Sequence, residues 1–162
     1  MNGSDGAPPA CTVDGVPVPL PESGVANLRD VLAAGGRQVP QGCAAGHCGS
    51  CTVLLAGVPA PSCLVPHHAA RDAEVRTVAT AASDDLVTAL ADHGAVQCGF
   101  CSPGMVVTLS WLLAGAADDG RTLTADDVRE ALEGHLCRCT GYRSIVAATL
   151  QVAAARSPGA PE

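Results

Sequence analysis

The first half of the chain alternates short apolar runs with turn residues, a pattern typical of β-strands. The predicted strands are residues 11–13, 16–20, 52–56, 59–65 and 75–78. Asp14-Gly15 and Gly57 lie between consecutive strands and predict two hairpins, the first with a two-residue turn. Pro17 and Pro19 restrict the second strand to the edge of a sheet, because proline donates no hydrogen bond.

Apolar residues at helical spacing predict one helix in the first half and four in the second. In the first, Leu28, Val31 and Leu32 share a face, and Gly35-Gly36 end the helix. The later helices are marked by Leu86, Val87 and Leu90; by Met105, Leu109, Leu112 and Leu113; by Val128 and Leu132; and by Ile145, Val146, Thr149, Leu150 and Ala153. Ser83 and a Thr124–Asp127 capping box are predicted caps. A small mixed sheet with one helix, followed by a four-helix bundle, belongs to the α+β class.

Length and composition limit the classes of function that the chain can have. The 162 residues allow one domain or two small ones. A net charge of −7 and only one Phe, one Trp and one Tyr argue against nucleic-acid binding. No apolar run reaches the roughly 18 residues of a membrane span, and no export signal opens the chain. We therefore expect a cytoplasmic protein that binds neither nucleic acid nor membrane, with disordered ends at residues 1–9 and 156–162.

Nine cysteines are the main chemical feature of the chain. In a reducing cytoplasm, clustered cysteines are more often metal ligands than disulfide partners. Cys11 stands alone, and we expect it to pack in a strand as a small apolar residue. The other eight form two groups: Cys43, Cys48, Cys51 and Cys63, then Cys98, Cys101, Cys137 and Cys139.

The first group begins with the spacing Cys43-x4-Cys48-x2-Cys51, which matches the plant-type ferredoxin signature of a [2Fe–2S] cluster. Interleaved glycines allow the tight turns and the close approach of backbone amides that such a loop needs. The hairpin that follows would bring Cys63 back as the fourth ligand. A structural zinc site with four cysteine ligands is the alternative. It suits the pattern less well, because three of the ligands share one Gly-rich loop.

The second group consists of two pairs, Cys98-x2-Cys101 and Cys137-x-Cys139, each before a predicted helix start. Ser102 is a predicted N-cap with Pro103 at the first helical position, and Thr140 is a predicted cap of the last helix. Spacing alone leaves open an iron–sulfur cluster, a structural zinc ion, or a redox-active dithiol in the first pair.

Four stretches resemble the small iron–sulfur subunit of the xanthine oxidase family of molybdenum hydroxylases, of the carbon monoxide dehydrogenase and aldehyde oxidoreductase type. They are residues 42–52, 62–64, 94–105 and 136–142. The resemblance implies an N-terminal β-grasp ferredoxin-like domain (10–79) and a C-terminal four-helix domain (80–155), each with one [2Fe–2S] cluster on its four cysteines. The family usually has Gly where this chain has Ala44. A positive φ there would cost about 1 kcal/mol of strain.

The same resemblance implies that Gln97 and Cys139 face a molybdopterin cofactor carried by a large subunit. The chain lacks a dinucleotide-binding glycine motif, a Walker loop and a nucleophile–base signature, so we expect no catalytic residue on it. We therefore expect the electron-transfer subunit of an oxidoreductase. Electrons would pass from molybdopterin through the second cysteine group, then the first, to FAD on a medium subunit, in a heterotrimer or a dimer of heterotrimers. The alternatives are a zinc-stabilised interaction module and a free-standing two-cluster ferredoxin.

Overall fold

The N-terminal part of the protein is a five-stranded mixed sheet with one helix packed on it. The structure, a computed structural model, describes residues 8–156. The strands are β1 (Ala10–Val13), β2 (Val16–Pro19), β3 (Thr52–Leu55), β4 (Val58–Pro61) and β5 (Glu74–Arg76), in the spatial order β2-β1-β5-β3-β4. Only β1 and β5 pair in parallel. Helix α1 (Leu28–Ala34) buries Leu28, Val31 and Leu32 in the same core as Val13, Val53 and Val75. This is the predicted β-grasp arrangement.

Both hairpins form through turns of two left-handed residues. Asp14 and Gly15 have φ angles of 51° and 81°, and Ala56 and Gly57 have 49° and 84°, as in the turns that match the twist of paired strands. The two proline-containing strands, β2 and β4, lie at the two edges of the sheet. This confirms the edge position predicted for the second strand.

Two strand predictions extended at least two residues past the observed strand ends. The strand expected over 59–65 ends at Pro61, and a 3-10 turn, Ser62–Leu64, follows it. The strand expected over 75–78 is Glu74–Arg76 instead, because Thr77 accepts a hydrogen bond from the Ala79 amide and caps a short helix, α2 (Val78–Ala81). Cys63 therefore lies in a tight turn rather than in an extended strand.

The C-terminal part is a bundle of the four predicted helices: α3 (Asp84–Asp92), α4 (Ser102–Asp118), α5 (Ala125–Ala131) and α6 (Arg143–Arg156). Their apolar faces meet in one core that contains Leu86, Leu109 and Val128. Val87 was wrongly assigned to that face, since 46% of it is exposed. Arg156, which was expected in the disordered tail, is the last residue of α6. The other residues expected to be disordered, 1–9 and 157–162, lie outside the described residues except for residues 8 and 9.

The predicted helix caps are confirmed in one case out of four. Thr124 and Asp127 form the capping box. Ser83 occupies the N-cap position of α3, but its side chain makes no capping bond and contacts Ser110 instead. Helix α4 begins at Ser102, with Cys101 as its N-cap, because the chain already turns helically at Cys101. Thr140 precedes the start of α6 by three residues, and its hydroxyl bonds locally.

The two parts share a small buried contact. Leu54 of β3, Ala81 of α2 and Val107 of α4 form an apolar cluster of their own. The Asp14 carboxylate, in the first hairpin turn, also accepts hydrogen bonds from the Thr77 amide and hydroxyl and from the Thr80 hydroxyl. Within residues 8–156, no helix has the length and apolar character needed to cross a membrane.

Candidate metal centres

The loop before β3 directs backbone amides at the sulfur of Cys43. The Ala45 and His47 amides donate to this sulfur at 3.4 and 3.2 Å, and the Cys43 amide donates to the Cys48 sulfur at 3.4 Å. The Ala45 and His47 amides lower the pKa of the exposed Cys43 thiol to about 6. Hydrogen bonds to sulfur favour the thiolate, the form that binds metal.

Close packing explains why glycine precedes Cys43. A Cβ at Gly42 would lie 2.7 Å from the Cys48 sulfur and 3.4 Å from the Phe100 ring. Ala44, by contrast, has a φ of 54°. This confirms that the position where the family usually has Gly needs a left-handed backbone. The His47 side chain is exposed.

The turn after β4 completes the first group. Cys63 contacts Cys51, which is buried directly before β3, and it receives a hydrogen bond from the Gly46 amide. Burial, and then the contact with Cys51, raises the pKa of the Cys63 thiol, and the charge of Cys43 adds to this effect. The thiols of Cys43, Cys48, Cys51 and Cys63 therefore meet at one place. They pair as Cys43 with Cys48 and Cys51 with Cys63.

The second group also converges in two pairs. The sulfurs of Cys98 and Cys139 are 3.8 Å apart, and both residues are exposed. Cys101 contacts Cys137 deeper in the bundle, where burial followed by that contact raises the pKa of Cys101 to about 12. Burial would also raise the pKa of Cys137, but hydrogen bonds, chiefly from Thr140, outweigh it and lower the pKa to about 7. The Thr140 hydroxyl donates to the Cys137 sulfur at 3.2 Å.

The segment before Cys137 joins the two groups. The Leu136 amide donates to the Cys48 carbonyl at 3.0 Å. The neighbouring His135 side chain is buried against Gly49, where any Cβ would overlap its ring, and its Nε2 bonds the Thr108 hydroxyl at 2.9 Å. Burial lowers the pKa of His135. Its Nδ1 has no hydrogen-bond partner among the described residues.

Gln97 lies at the exposed edge of the second group. Its side-chain amide donates to the Cys139 carbonyl at 3.2 Å. The structure therefore brings together the two residues that the sequence predicted to face a pterin. Cys11, the ninth cysteine, is buried in β1 in the sheet core, and burial raises its pKa.

The donor set fits a pair of two-iron clusters. Each group presents two pairs of thiols, and a [2Fe–2S] core has two irons that each take two cysteine ligands. In residues 8–156, no three Cys, His, Asp or Glu side chains are arranged around a single metal ion. A bound cluster would provide a site that accepts and releases one electron. The chain itself would provide the thiolates, and its hydrogen bonds to sulfur would tune the potential.

Two family models match consecutive parts of the chain. Residues 11–79 match a 2Fe-2S iron-sulfur cluster binding domain, and residues 74–150 match a [2Fe-2S] binding domain. Together they include all eight grouped cysteines, and they favour iron over zinc at both groups.

Comparison with known proteins places these domains in one family. The chain is 39% identical to the xanthine dehydrogenase iron-sulfur-binding subunit of Escherichia coli O157:H7, covering 90% of this chain and 94% of the relative. It is 43% identical to subunit beta of the 6-hydroxypseudooxynicotine dehydrogenase complex of Paenarthrobacter nicotinovorans, covering 76% of each. The crystal structure of quinoline 2-oxidoreductase from Pseudomonas putida 86 superimposes with a TM-score of 0.79 at 34% identity, covering 94% and 96%.

These matches define an iron–sulfur protein of the oxidoreductase class. The chain belongs to the iron–sulfur subunits of the xanthine oxidase family of molybdenum hydroxylases. Both the α+β fold class and the resemblance drawn from the sequence are thereby confirmed. A zinc-stabilised interaction module gains no support from any of these matches.

Several residues around the sites were not identified from the sequence. Thr140 was assigned to a helix end, yet its hydroxyl bonds a thiol. Tyr142 and His135 were assigned no role, although their hydrogen bonds hold the segment around Leu136 in place. One available signal was the position of Tyr142 three residues after Cys139, as the only Tyr in the chain.

Proposed function

We propose that this chain carries electrons through two [2Fe–2S] clusters. Cys43, Cys48, Cys51 and Cys63 would hold one cluster, and Cys98, Cys101, Cys137 and Cys139 the other. The observation that carries this proposal is that each group converges as two pairs of thiols, which suits two irons per group. Domain bounds of 10–79 and 80–155 agree with this division, because each range contains one complete group and one main core.

The second group is the better candidate for the end where electrons enter. Gln97, Cys98 and Cys139 are all exposed there, so a partner can approach them directly. The Gln97 side chain and the Cys139 sulfur would bond the pterin of a molybdopterin cofactor on a large subunit. Neither residue would act on substrate, so no catalytic role is assigned to this chain.

Electrons would leave through the first group. Cys43 is exposed in the first group, so a medium subunit carrying FAD can approach it. The chain would work in the cytoplasm in a heterotrimer, or in a dimer of heterotrimers. Since its named relatives are subunits of dehydrogenases, we favour this assembly over a free-standing two-cluster ferredoxin.

Metal analysis of single-cysteine variants tests the ligand assignment. Anaerobically purified wild-type chain should hold about four irons, two for each [2Fe–2S] cluster. Cys51→Ala and Cys101→Ala should each lose one of two distinct electron paramagnetic resonance (EPR) signals. Cys11→Ala, at the buried cysteine outside both groups, should keep both. Zinc in place of iron in the wild-type preparation would overturn the proposal.

Co-purification from the native host tests the partners. Two larger chains, with molybdenum and flavin, should accompany the wild-type protein. Gln97→Ala should keep its iron but bind the molybdenum-containing chain less tightly. A wild-type chain that is isolated alone with both clusters would instead support the free-standing ferredoxin.

A further inference from the structure

Tyr142, the single tyrosine, forms two hydrogen bonds to the segment around Leu136, where the two cysteine groups are joined. The Tyr142 hydroxyl accepts a hydrogen bond from the Cys137 amide at 2.7 Å and donates one to the His135 carbonyl at 2.8 Å. Tyr142 has a φ of 66°, in the left-handed region that a bulky residue rarely occupies. Such strain persists only where surrounding bonds maintain it, and it is concentrated at functional positions.

The two hydrogen bonds of Tyr142 hold the residues on either side of Leu136, and the Leu136 amide faces the first cysteine group. Leu136 lies between His135 and Cys137, and its amide donates to the Cys48 carbonyl. The Leu136 side chain is 59% exposed, so side-chain packing does little to hold that amide in place. The position of the amide instead follows from its two neighbours, His135 and Cys137, which are bonded to Tyr142. The His135 ring is in addition fixed between Thr108 and Gly49.

We propose that Tyr142 is a positioning residue that holds the Leu136 amide on the Cys48 carbonyl, and that this contact is the through-bond link between the two metal centres. The inference rests on the proposed function, because it takes Cys137 and Cys48 as ligands of different clusters. The route runs from the Cys137 sulfur along the backbone to Leu136, across its N–H to the Cys48 carbonyl, and on to the Cys48 sulfur. One centre is oxidised as the other is reduced by one electron, and no proton or atom is transferred.

Three variants of the full chain, loaded with both clusters, separate this role from a purely structural one. Tyr142→Phe removes only the hydroxyl. Leu136→Pro removes the donor itself, because proline has no N–H. Leu136→Ala changes the exposed side chain but keeps the amide, so it is the matched control. Iron content and the two EPR signals establish first that each variant holds both clusters.

Two measurements then report on the link. Hydrogen–deuterium exchange of the peptide around Leu136 reports whether its amide stays bonded. Flash photoreduction with one electron per chain, followed by rapid-freeze EPR, reports how fast the electron redistributes between the centres. We expect Tyr142→Phe to speed exchange and to slow redistribution severalfold, Leu136→Pro to slow it further, and Leu136→Ala to match wild type.

Each outcome has a defined meaning. Unchanged redistribution in Tyr142→Phe with both clusters present overturns the positioning role. Unchanged redistribution in Leu136→Pro overturns the link as well. If Leu136→Pro does not retain its iron, Tyr142→Phe decides alone. A wild-type chain that lacks either cluster contradicts the proposed function instead, so the two failures are distinguishable.

Discussion

Gly104, in the first turn of α4, lies directly against the backbone of Gly49. A Cβ at Gly104 would overlap the Gly49 carbonyl oxygen and come within 3.0 Å of its carbonyl carbon. These residues belong to different parts of the fold: Gly49 directly follows Cys48, and Gly104 lies three residues after Cys101. Backbone-to-backbone contact of this kind leaves no room for a side chain, so it fixes the distance between the two cysteine groups.

We predict that Gly104→Ala destabilises the protein by about 1–3 kcal/mol, the usual cost of overpacking a rigid contact. Gly115→Ala is the matched control. It lies in the same helix with nothing within 4 Å of the added Cβ. There the better helix propensity of Ala should stabilise by about 0.5–1 kcal/mol. Urea unfolding followed by circular dichroism measures both. Equal effects in the two variants would contradict the contact.

Ala44→Gly should stabilise the chain by about 1 kcal/mol, because glycine adopts a φ of 54° without the clash of a Cβ. Ala45→Gly, one residue further along the same loop, is the control. Its φ is not positive, so the change should be neutral or destabilising. Denaturant midpoints of the two variants and of wild type provide the test. Stabilisation by Ala45→Gly alone would count against the strain at Ala44.

The Thr140 hydroxyl should raise the reduction potential of the second centre, because a hydrogen bond to sulfur stabilises the more negative, reduced state. Thr140→Val should therefore lower that potential, whereas Thr140→Ser should retain the wild-type value. EPR-monitored redox titration resolves the two centres in one sample, so the first centre is an internal control. Equal shifts at both centres would indicate a general change rather than the loss of this bond.

The capping box of α5 should make stability fall in acid. Hydrogen bonds from the Thr124 hydroxyl and amide, aided by Arg121, lower the pKa of Asp127 to about 2. A lowered folded-state pKa stabilises the protein above the unfolded pKa of about 4, and this contribution disappears as the pH falls through 2.

Asp127→Asn should therefore be less stable than wild type at pH 6, and the difference should shrink between pH 4 and 2. Thermal midpoints across that range measure it. Asp126→Asn removes the same charge from the same turn, at a side chain that is 92% exposed and pairs with Arg129. It therefore controls for the loss of a carboxylate paired with an arginine, as Asp127 is with Arg121. A difference between wild type and Asp127→Asn that stays constant in acid would contradict the role of this carboxylate.

The sequence predicted what depends on local pattern. The hairpin turns, the edge prolines, the capping box and the two cysteine groups all follow from residue types at fixed spacing, and fold class followed from the order of these elements. The structure of the segment from His135 to Tyr142 could not be predicted in this way, because its bonds join backbone atoms to a side chain several residues away. Position alone made Thr140 resemble a helix cap, whereas its hydroxyl donates to the Cys137 sulfur and accepts from the Tyr142 amide.

The apolar cluster of Leu54, Ala81 and Val107 has a consequence for the stability of the whole chain. Each of its three residues comes from a different element, and both parts of the fold contribute to it. Opening either part would expose apolar surface on the other, which couples their unfolding free energies. Despite two cores and two cysteine groups, the protein should therefore melt in one cooperative transition, and neither half should be fully stable when expressed without the other.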